Sequence, residues 1–429
     1  MSIQKDKTIK FLSIVGPDTK TSYGIMSQMH LNCDMDKHKF FVLATDNCRN
    51  RFPKLYEFPD LMFMPKNKSR LGKIKYFYDL LNRSEHIIFH SLYFTSYKFT
   101  LFLFVFRKFL KKAVWVEWGA DLYSWKFPET SLKNRLKNKI GHTLRNNMGS
   151  VAFTFPINEK IYYEQFSNRP KTFYTPMPNP MPEPTGLMDK IDSLNPEFLK
   201  LKKEKLKRKL KRKYPKRRIL QSVADKEVSV NETNTVSDTQ EPAARKVRIQ
   251  IAHNSFSFNH HVKLLNFLSR FKEENIDIKM PMSYGVFGIN GAFGGKDYID
   301  CVGNYGKEVF GDKLDVMTVN IPFEEYVQYL WTVDIAVFDF NRPCGLGNIR
   351  ILLYMGKKIF LPAENEFYKF LTSKGVKIYD TNQIPNMTYE EFIAPPENND
   401  LTWIKDYLNN ASAIQHWQTM FDELEKGEI

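Results

Sequence analysis

The stretch DIAVFDFNRPCGLGNIRILLYMGKKIFLP (334–362) decides the fold that the sequence predicts. It reads as a buried strand (334–340), a short glycine-containing loop, a helix (349–356) and a second buried strand (358–362). An apolar strand that leads through a helix to another apolar strand is typical of a βαβ unit, in which the two strands run parallel.

The same alternation of apolar strands and helical stretches recurs in both halves of the chain. Further strands are predicted at 8–15, 40–45, 86–91, 113–119, 151–156, 172–178, 247–254, 276–285 and 314–319. The fold class is therefore predicted as α/β, with two Rossmann-like doubly wound domains that face a cleft. The predicted domains are 1–186, a linker or insertion at 187–246, a second domain at 247–400 and a C-terminal helical segment at 401–429.

The net charge of +15 is located mainly in one segment. Residues 200–218 contain thirteen Lys or Arg and one Glu, which leaves only +3 for the other 410 residues. The following stretch, 228–245, is polar and without aromatic residues, so the whole insertion 187–246 is expected to be disordered. Because no aromatic residues alternate with the basic ones and the rest is near neutral, nucleic acid is not the expected partner.

The cysteines and the N-terminus point to the cell interior. The four cysteines form no CxxC pair, and the N-terminal residues lack the long apolar stretch of a signal peptide. No uncharged apolar run reaches the roughly 18 residues that a membrane-spanning helix needs.

The loop between the strand at 334–340 and the following helix is the first candidate site. Gly345 and Gly347 would let the backbone approach an anion, and the helix that begins near Asn348 would offer free N–H groups to a diphosphate. Arg342 could add a charge-assisted contact. An ordinary strand-to-helix turn would use glycine in the same way.

Two further polar loops follow predicted strands. The loop IAHNSFSFNHH (251–261) contains Asn254, Ser255 and Asn259, with His260 and His261 at the start of a helix. Serine and asparagine are also common helix caps, and no acidic or cysteine partners stand at metal-ligand spacing.

In VEWGADLYSW (116–125), Glu117 and Asp121 flank a glycine. A carboxylate in a cleft can act as the general base on an acceptor hydroxyl, although turn acids of this kind are common. Asp121 is the preferred candidate. No metal site is predicted, because helix dipoles and basic side chains can offset the charge of a leaving group.

Together these segments resemble glycosyltransferase family 56, the 4-acetamido-4,6-dideoxygalactosyltransferases. The resemblance rests on the following motifs: WGADLY (118–123), the NS…NHH loop (254–261), PMSYG (281–285), FEEYV (323–327) with Asp334, and FNRPCGLGNI (340–349). The sequence departs from the family in its basic insertion and in HNSFSF, where the family tends to have a glycine-containing loop.

The resemblance implies a GT-B fold and transfer of a 4-acetamido-4,6-dideoxyhexose from its TDP form to a lipid-linked saccharide of enterobacterial common antigen synthesis. It implies a nucleotide-sugar donor as substrate and no cofactor. Asp121, with Glu117, would serve the acceptor. The implied donor-binding residues are Asn254, Ser255, Asn259, Tyr284, Gly285, Glu324, Arg342, Gly345, Gly347 and Asn348.

A lipid-linked acceptor would place the enzyme peripherally on the cytoplasmic face of the membrane. Two segments could contact the inner leaflet: the basic residues 200–218 and the apolar-basic stretch TLFLFVFRKFLKK (100–112). A solvated linker and a buried helix with a basic end are the respective alternatives.

Other functions remain open on the sequence. The chain could transfer another TDP- or UDP-hexose to a capsule or teichoic-type polymer, or it could be a non-catalytic sugar- or lipid-binding scaffold.

Overall fold

The computed structural model describes the greater part of both predicted domains. The described residues are 8–16, 21–43, 58, 61–92, 97–119, 121–123, 132–176, 187–197, 199–201, 204, 245–283, 295–340, 344–397 and 400–427. Most of the basic segment 200–218 therefore lies outside the described residues, as do Tyr284, Gly285 and Arg342.

The chain forms two compact units. The first consists of residues 1–187, 342–344 and 402–429, and the second of residues 188–341 and 345–401. The C-terminal helical segment, which was predicted as a separate element, thus belongs to the first unit.

The first unit is built on seven strands. These are β1 (Ile9–Val15), β2 (His38–Val42), β3 (Leu61–Phe63), β4 (Ser84–His90), β5 (Ala113–Glu117), β6 (Ser150–Phe153) and β7 (Lys171–Tyr174). They pair in parallel in the order β3-β2-β1-β4-β5-β6-β7. The order reverses between β1 and β4, which is the Rossmann arrangement.

Helices cover both faces of this sheet. They are α1 (Thr21–Asn32), α2 (Arg70–Arg83), α3 (Tyr97–Val105), α4 (Leu132–Arg145), α5 (Ile157–Gln165), and, at the C-terminus, α13 (Thr402–Leu408) and α14 (Asn410–Glu425). Residues of α2, α3, α4 and α5 share one apolar core with the sheet, and residues of α1 and α14 share the core on the opposite face. Strands covered on both faces are apolar along their whole length, which explains why the sequence identified most of them.

The second unit is built on six strands in the same arrangement. These are β8 (Val247–Ile251), β9 (Ile276–Pro281), β10 (Leu314–Met317), β11 (Ile335–Val337), β12 (Lys358–Leu361) and β13 (Tyr379–Asp380). They pair in parallel in the order β10-β9-β8-β11-β12-β13. The order reverses between β8 and β11.

The helices of the second unit connect these strands. They are α6 (Leu187–Ser193, of which only Leu187 falls in the first unit), α7 (His261–Leu268), α8 (Lys296–Phe310), α9 (Phe323–Thr332), α10 (Leu346–Tyr354), α11 (Glu366–Ser373) and α12 (Tyr389–Ile393). Both predicted doubly wound sheets are therefore confirmed.

Helix α6 corrects the prediction that 187–246 is disordered throughout. The Trp331 indole N–H donates to the Ile191 carbonyl at 2.9 Å, and the Tyr354 hydroxyl donates to Asp192 at 2.8 Å. Ile191 is fully buried. These contacts hold the start of the predicted insertion against the second unit, because an apolar side chain and two hydrogen bonds offset the entropy lost on ordering.

The segment 100–112 is not one continuous helix. Helix α3 ends at Val105, and a separate 3₁₀ helix follows at Arg107–Lys112. Of the helices in the described residues, none is both long enough and apolar enough to span a bilayer.

Two glycines in the first unit should respond oppositely to replacement by alanine. A Cβ on Gly149 would lie 2.1 Å from the Lys111 carbonyl oxygen, a backbone atom that cannot easily move, whereas a Cβ on Gly141 within α4 would meet only ordinary contacts. We expect G149A to destabilise the protein by about 1–3 kcal/mol. G141A should stabilise it by about 0.5–1 kcal/mol, since alanine is the better helix former. Thermal unfolding followed by circular dichroism measures both; a neutral G149A would contradict the packing described here.

Candidate functional site

The reversal of strand order in the second unit lies between β8 and β11. Helices that follow strands on the two sides of such a point leave in opposite directions, so a crevice opens at the carboxyl ends of the two strands. The described residues that border this crevice are 252–260, after β8, and 338–340 with Gly345, after β11. Both were identified in the sequence as polar or glycine-containing loops.

The loop after β8 starts with an unusual backbone conformation. Ala252 has φ 57° and His260, at the end of the loop, has φ 48°, although neither is glycine. Such conformations cost on the order of 1–3 kcal/mol and concentrate at functional sites. A hydrogen bond of 2.9 Å from the Ala252 N–H to the Val337 carbonyl holds the first of them against β11.

The polar side chains of this loop bond mainly to the loop itself. The Asn254 Oδ1 accepts from the Phe256 N–H at 3.0 Å and from Asn259 Nδ2 at 2.6 Å. Asn259 Nδ2 also donates to the Phe256 carbonyl at 2.9 Å. Asn254, Ser255 and Asn259 are all buried. The side chains of Asn254 and Asn259 therefore fix the path of the loop backbone, and the donor contacts predicted for Asn254, Ser255 and Asn259 stay predictions.

The loop after β11 meets the first loop at Gly345. Gly345 has φ 65°, and a Cβ at this position would lie 3.0 Å from the His253 ring. Both the backbone angle and the close approach therefore favour glycine. The His253 ring also lies against Phe338 and Phe340, with ring centroids 6.2 and 5.9 Å apart. The structure thus brings together two of the three loops predicted from sequence.

Helix α10 begins at this junction and presents its first turn to the crevice edge. Gly347 is exposed and has open space where a side chain would start. Asn348 is half-buried, in hydrogen-bond contact with the Tyr326 hydroxyl, which also contacts Gln250. Tyr326 belongs to the FEEYV segment on α9, so that segment contacts the first turn of α10.

A buried carboxylate holds two basic side chains at the same edge. Asp339 follows β11, and its two oxygens lie 3.4 Å from His260 Nδ1 and 2.6 Å from Lys263 Nζ. Burial alone would raise the pKa of Asp339, but His260 and Lys263 hold it below its ordinary value. Both basic side chains remain more than a third exposed. The sequence pattern missed Lys263 and Asp339, because a lysine in a helix and an aspartate after a strand carry no motif by themselves.

Glu324 lies in the first turn of α9, two residues before Tyr326. It is about half exposed and pairs with Lys190 of α6 at 3.3 Å. Tyr284, Gly285 and Arg342 fall outside the described residues. Their predicted roles, and that of Glu324 at the ribose, stay predictions.

In the first unit, Asp121 is fully buried and its oxygens are fully used. One oxygen accepts from the N–H groups of Trp118 and Leu122, at 3.0 and 3.2 Å. The other accepts from the Leu92 N–H at 2.9 Å and from the Trp115 indole at 2.7 Å. Asp121 therefore ties the loop after β4 to the loop after β5.

Glu117 is fully buried as well, and it ties the loop after β5 to that after β6. It accepts from the Gly119 N–H at 2.8 Å, from the Thr154 N–H at 3.0 Å and from the Asn158 amide at 2.8 Å. Burial and the nearby Asp121 raise the pKa of Glu117 to about 7.

The direct catalytic role predicted for Asp121 and Glu117 stays a prediction, and these contacts favour a positioning role instead. A general base needs a lone pair within hydrogen-bond reach of the hydroxyl it deprotonates. Both carboxylates are buried here and accept several hydrogen bonds from the protein. Both are better described as positioning residues that shape the carboxyl edge of the first sheet.

His90 is a residue of this edge that the sequence analysis passed over as part of a strand. It ends β4, and Nε2 contacts the Ser13 hydroxyl at 3.2 Å while the ring stacks on Trp417 at 5.6 Å. Its Nδ1 is buried, with no hydrogen-bond partner among the described residues. Burial lowers the pKa of His90 to about 3, so the ring is neutral at physiological pH. The sequence could have indicated His90 as a candidate, because it is a histidine at the end of an apolar strand.

Comparison with a known family covers the second unit. Residues 213–395 match the model of a family described as 4-alpha-L-fucosyltransferase glycosyl transferase group 56. The matched range contains both loops of the β8–β11 crevice and begins inside the basic segment, whereas WGADLY lies outside it. The protein is a glycosyltransferase.

Solved structures show that this glycosyltransferase has the GT-B fold. Anabaena HepE in complex with UDP and glucose aligns with a TM-score of 0.60 at 9% identity, over 96% of this chain and 99% of HepE. Sucrose-phosphate synthase of Thermosynechococcus elongatus aligns at 0.52 and 11% identity, over 98% of each chain. The α,α-trehalose 6-phosphate synthase of Burkholderia multivorans aligns at 0.51 and 8% identity, over 98% and 97%.

No group of three or more His, Cys, Asp or Glu side chains gathers at metal-binding geometry in the part of the chain that the structure describes.

The Glu117 carboxyl should make stability depend on pH. Its folded-state pKa of about 7 exceeds the ordinary 4.5, so the folded state keeps its proton longer than the unfolded chain does. The contribution of Glu117 to stability is thus complete below pH 4.5 and lost as the pH rises towards 7. Urea unfolding between pH 4.5 and 8 should show a shallower decline in E117Q than in the wild type.

The exposed Glu164 of the same unit provides the control, because its replacement in E164Q should leave the pH profile unchanged. Identical profiles for E117Q and the wild type would contradict the burial of a protonatable Glu117.

Proposed function

We propose that this glycosyltransferase transfers a 4-acetamido-4,6-dideoxyhexose from a TDP-sugar to a lipid-linked saccharide at the cytoplasmic face of the membrane. The proposed binding of the nucleotide-sugar donor rests on one observation: the two loops at the β8–β11 crevice meet where Gly345 packs on His253. The match to the group 56 family over 213–395 supports the reaction class. A UDP-bound protein of the same fold, Anabaena HepE, supports a nucleoside diphosphate as ligand.

The diphosphate would lie at the first turn of α10. The free N–H groups of a helix N-terminus and its dipole favour an anion. Gly347 leaves room there for close approach, because open space surrounds the position of its missing side chain. Arg342, in the loop just before α10, would add charge as the sequence predicted.

In the reaction, the bond between the anomeric carbon and the diphosphate oxygen breaks, the acceptor hydroxyl oxygen forms the new bond to that carbon, and the hydroxyl proton passes to water. The electron pair of the broken bond stays with the diphosphate, whose charge must be stabilised as the bond lengthens. Lys263 and His260 are described basic side chains that could stabilise this charge. Asp339 orients both of them, since it lies within 3.4 Å of each.

On the acceptor side, Asp121 and Glu117 would set the shape of the sheet edge rather than remove the proton. His90 at the same edge is as buried as the two carboxylates, so it too would position the edge.

The proposed donor class is tested by thermal shift of the full-length protein with TDP, UDP, ADP and GDP. A nucleotide at about 100 times its Kd should raise the free energy of unfolding by about 2.7 kcal/mol. We expect stabilisation by TDP, a smaller one by UDP and none by the purine nucleotides. Equal stabilisation by all four, or by none, would contradict a pyrimidine nucleotide-sugar donor.

The place of the diphosphate is tested by G347A. Because a Cβ at Gly347 meets nothing within 4 Å, the substitution should leave the melting temperature within about a degree. It should nevertheless lower the affinity for TDP by at least about tenfold, since the new methyl group occupies the approach to the helix N-terminus. Calorimetric titration measures this. G141A in the first unit is the matched control, and wild-type affinity in G347A would exclude the assigned location.

A further inference from the structure

Three helices form one layer on a single face of the first sheet. Phe77 of α2 packs on Phe102 of α3 with ring centroids 5.3 Å apart, and Tyr78 packs on Phe106 at 5.1 Å. Lys108, just after α3, bonds to the Tyr78 hydroxyl at 2.7 Å. Helix α3 in turn packs against α4. The inner sides of α2, α3 and α4 all enter the same apolar core.

The outer surface of this layer exposes large apolar side chains. Each helix contributes two, spaced three or four residues apart so that they lie on one side of the helix. They are Leu71 and Ile74 on α2, Leu101 and Val105 on α3, and Leu132 and Leu136 on α4. Among the described residues nine large apolar side chains are exposed, and these six belong to the one layer. Leu132 is 82% exposed and Leu71 is 77% exposed.

The same layer carries nearly pure positive charge. The segments 66–83, 97–112 and 132–145 contain sixteen Lys or Arg and a single acidic residue, Asp79. Outside the basic segment 200–218, the near-neutral balance of the chain therefore conceals an uneven distribution. The positive charge of these three helices is offset by acidic residues elsewhere in the chain.

Exposed apolar side chains among basic ones fit a particular partner. Side chains such as Leu132 gain free energy by entering the boundary between lipid headgroups and acyl chains, while lysine and arginine attract anionic headgroups. A second copy of this chain would bring two basic layers together, which like-charge repulsion opposes. We propose that the outer surface of α2, α3 and α4 binds an anionic lipid bilayer. This proposal rests on the proposed function, because an enzyme with a lipid-linked acceptor must contact the membrane.

The proposal also enlarges the sequence-based prediction. That prediction placed two segments at the inner leaflet, 100–112 and 200–218. In the structure, α3 is the middle of a three-helix layer, and α2 and α4 had attracted no notice in the sequence. Both helices carry several basic residues, so each resembles an ordinary amphipathic helix with a solvated face.

The test is co-sedimentation of the full-length protein with vesicles of phosphatidylcholine that contain 30% phosphatidylglycerol. One variant combines L101Q, V105Q, L132Q and L136Q, and a second combines K98E, K111E and K139E. We expect each to weaken vesicle binding by at least about tenfold relative to the wild type, because each removes one of the two attractions. Binding of the wild type should fall in vesicles of phosphatidylcholine alone and at high salt. The segment 200–218 stays intact in every variant.

Matched controls come from other surfaces of the same chain. V262Q with V319Q removes the two exposed valines of the second unit, and K307E, K374E and K426E reverse three exposed lysines outside the layer. These controls should bind vesicles like the wild type.

Wild-type vesicle binding in the layer variants would overturn the proposal, as would equal losses in the controls. A wild type that binds neither kind of vesicle would do the same. If the apolar variant instead converted a dimer to a monomer with vesicle binding unchanged, the layer would be a self-association surface. Thermal stabilisation by TDP, measured on every variant, separates this proposal from the proposed function. If TDP failed to stabilise the protein while vesicle binding stayed intact, only the proposed function would be contradicted.

Discussion

The structure depends most on the parallel pairing of β8 with β11 at the point where the strand order of the second sheet reverses. This pairing fixes the starting positions of the two loops that lead to α7 and α10, and it leaves a crevice between them at the carboxyl edge. The loop after β8 turns away from β11 at Ala252. This residue takes a left-handed conformation while its N–H donates a hydrogen bond to the Val337 carbonyl. The contact of Gly345 with His253 follows from the same constraint. A conformation that costs free energy at a non-glycine residue persists only where its surroundings enforce it.

Buried polar groups perform the same task in both units, which is to hold loops at the carboxyl edge of a sheet. In the first unit, Asp121 and Glu117 gather N–H groups from the loops after β4, β5 and β6. In the second unit, Asn254 and Asn259 organise the loop after β8. Removing such a group leaves several buried donors without an acceptor, which costs about 1–3 kcal/mol each. The motifs that resemble family 56 therefore contain several residues that position loops.

The fold was largely predictable from the sequence because parallel strands buried on both faces leave long apolar runs, as in FLSIV and HIIFH. The strands that the sequence missed are short: β3 has three residues and β13 has two, too few to establish a pattern. Helix α6 was assigned to a disordered insertion because its stability comes from contacts with Trp331 and Tyr354, distant in sequence.

Within the candidate site, the structure brings two of the predicted loops together and shows that Asp121 and Glu117 are already hydrogen-bonded to the protein. An aspartate such as Asp121 looks the same in the sequence whether its oxygens are free to contact a ligand or already accept hydrogen bonds. Only the contacts in the folded protein distinguish these two cases. The basic pair at Asp339 illustrates the converse, since Lys263 and His260 acquire significance only from their distance to that buried carboxylate.

Amide hydrogen exchange of the full-length chain, with and without saturating TDP, tests the central claim most directly. If the β8–β11 crevice binds the diphosphate, the nucleotide should slow exchange in peptides that cover 252–260 and 345–350, and leave 113–119 nearly unchanged. Protection confined to the first unit, with unaltered exchange in both crevice loops, would contradict the account.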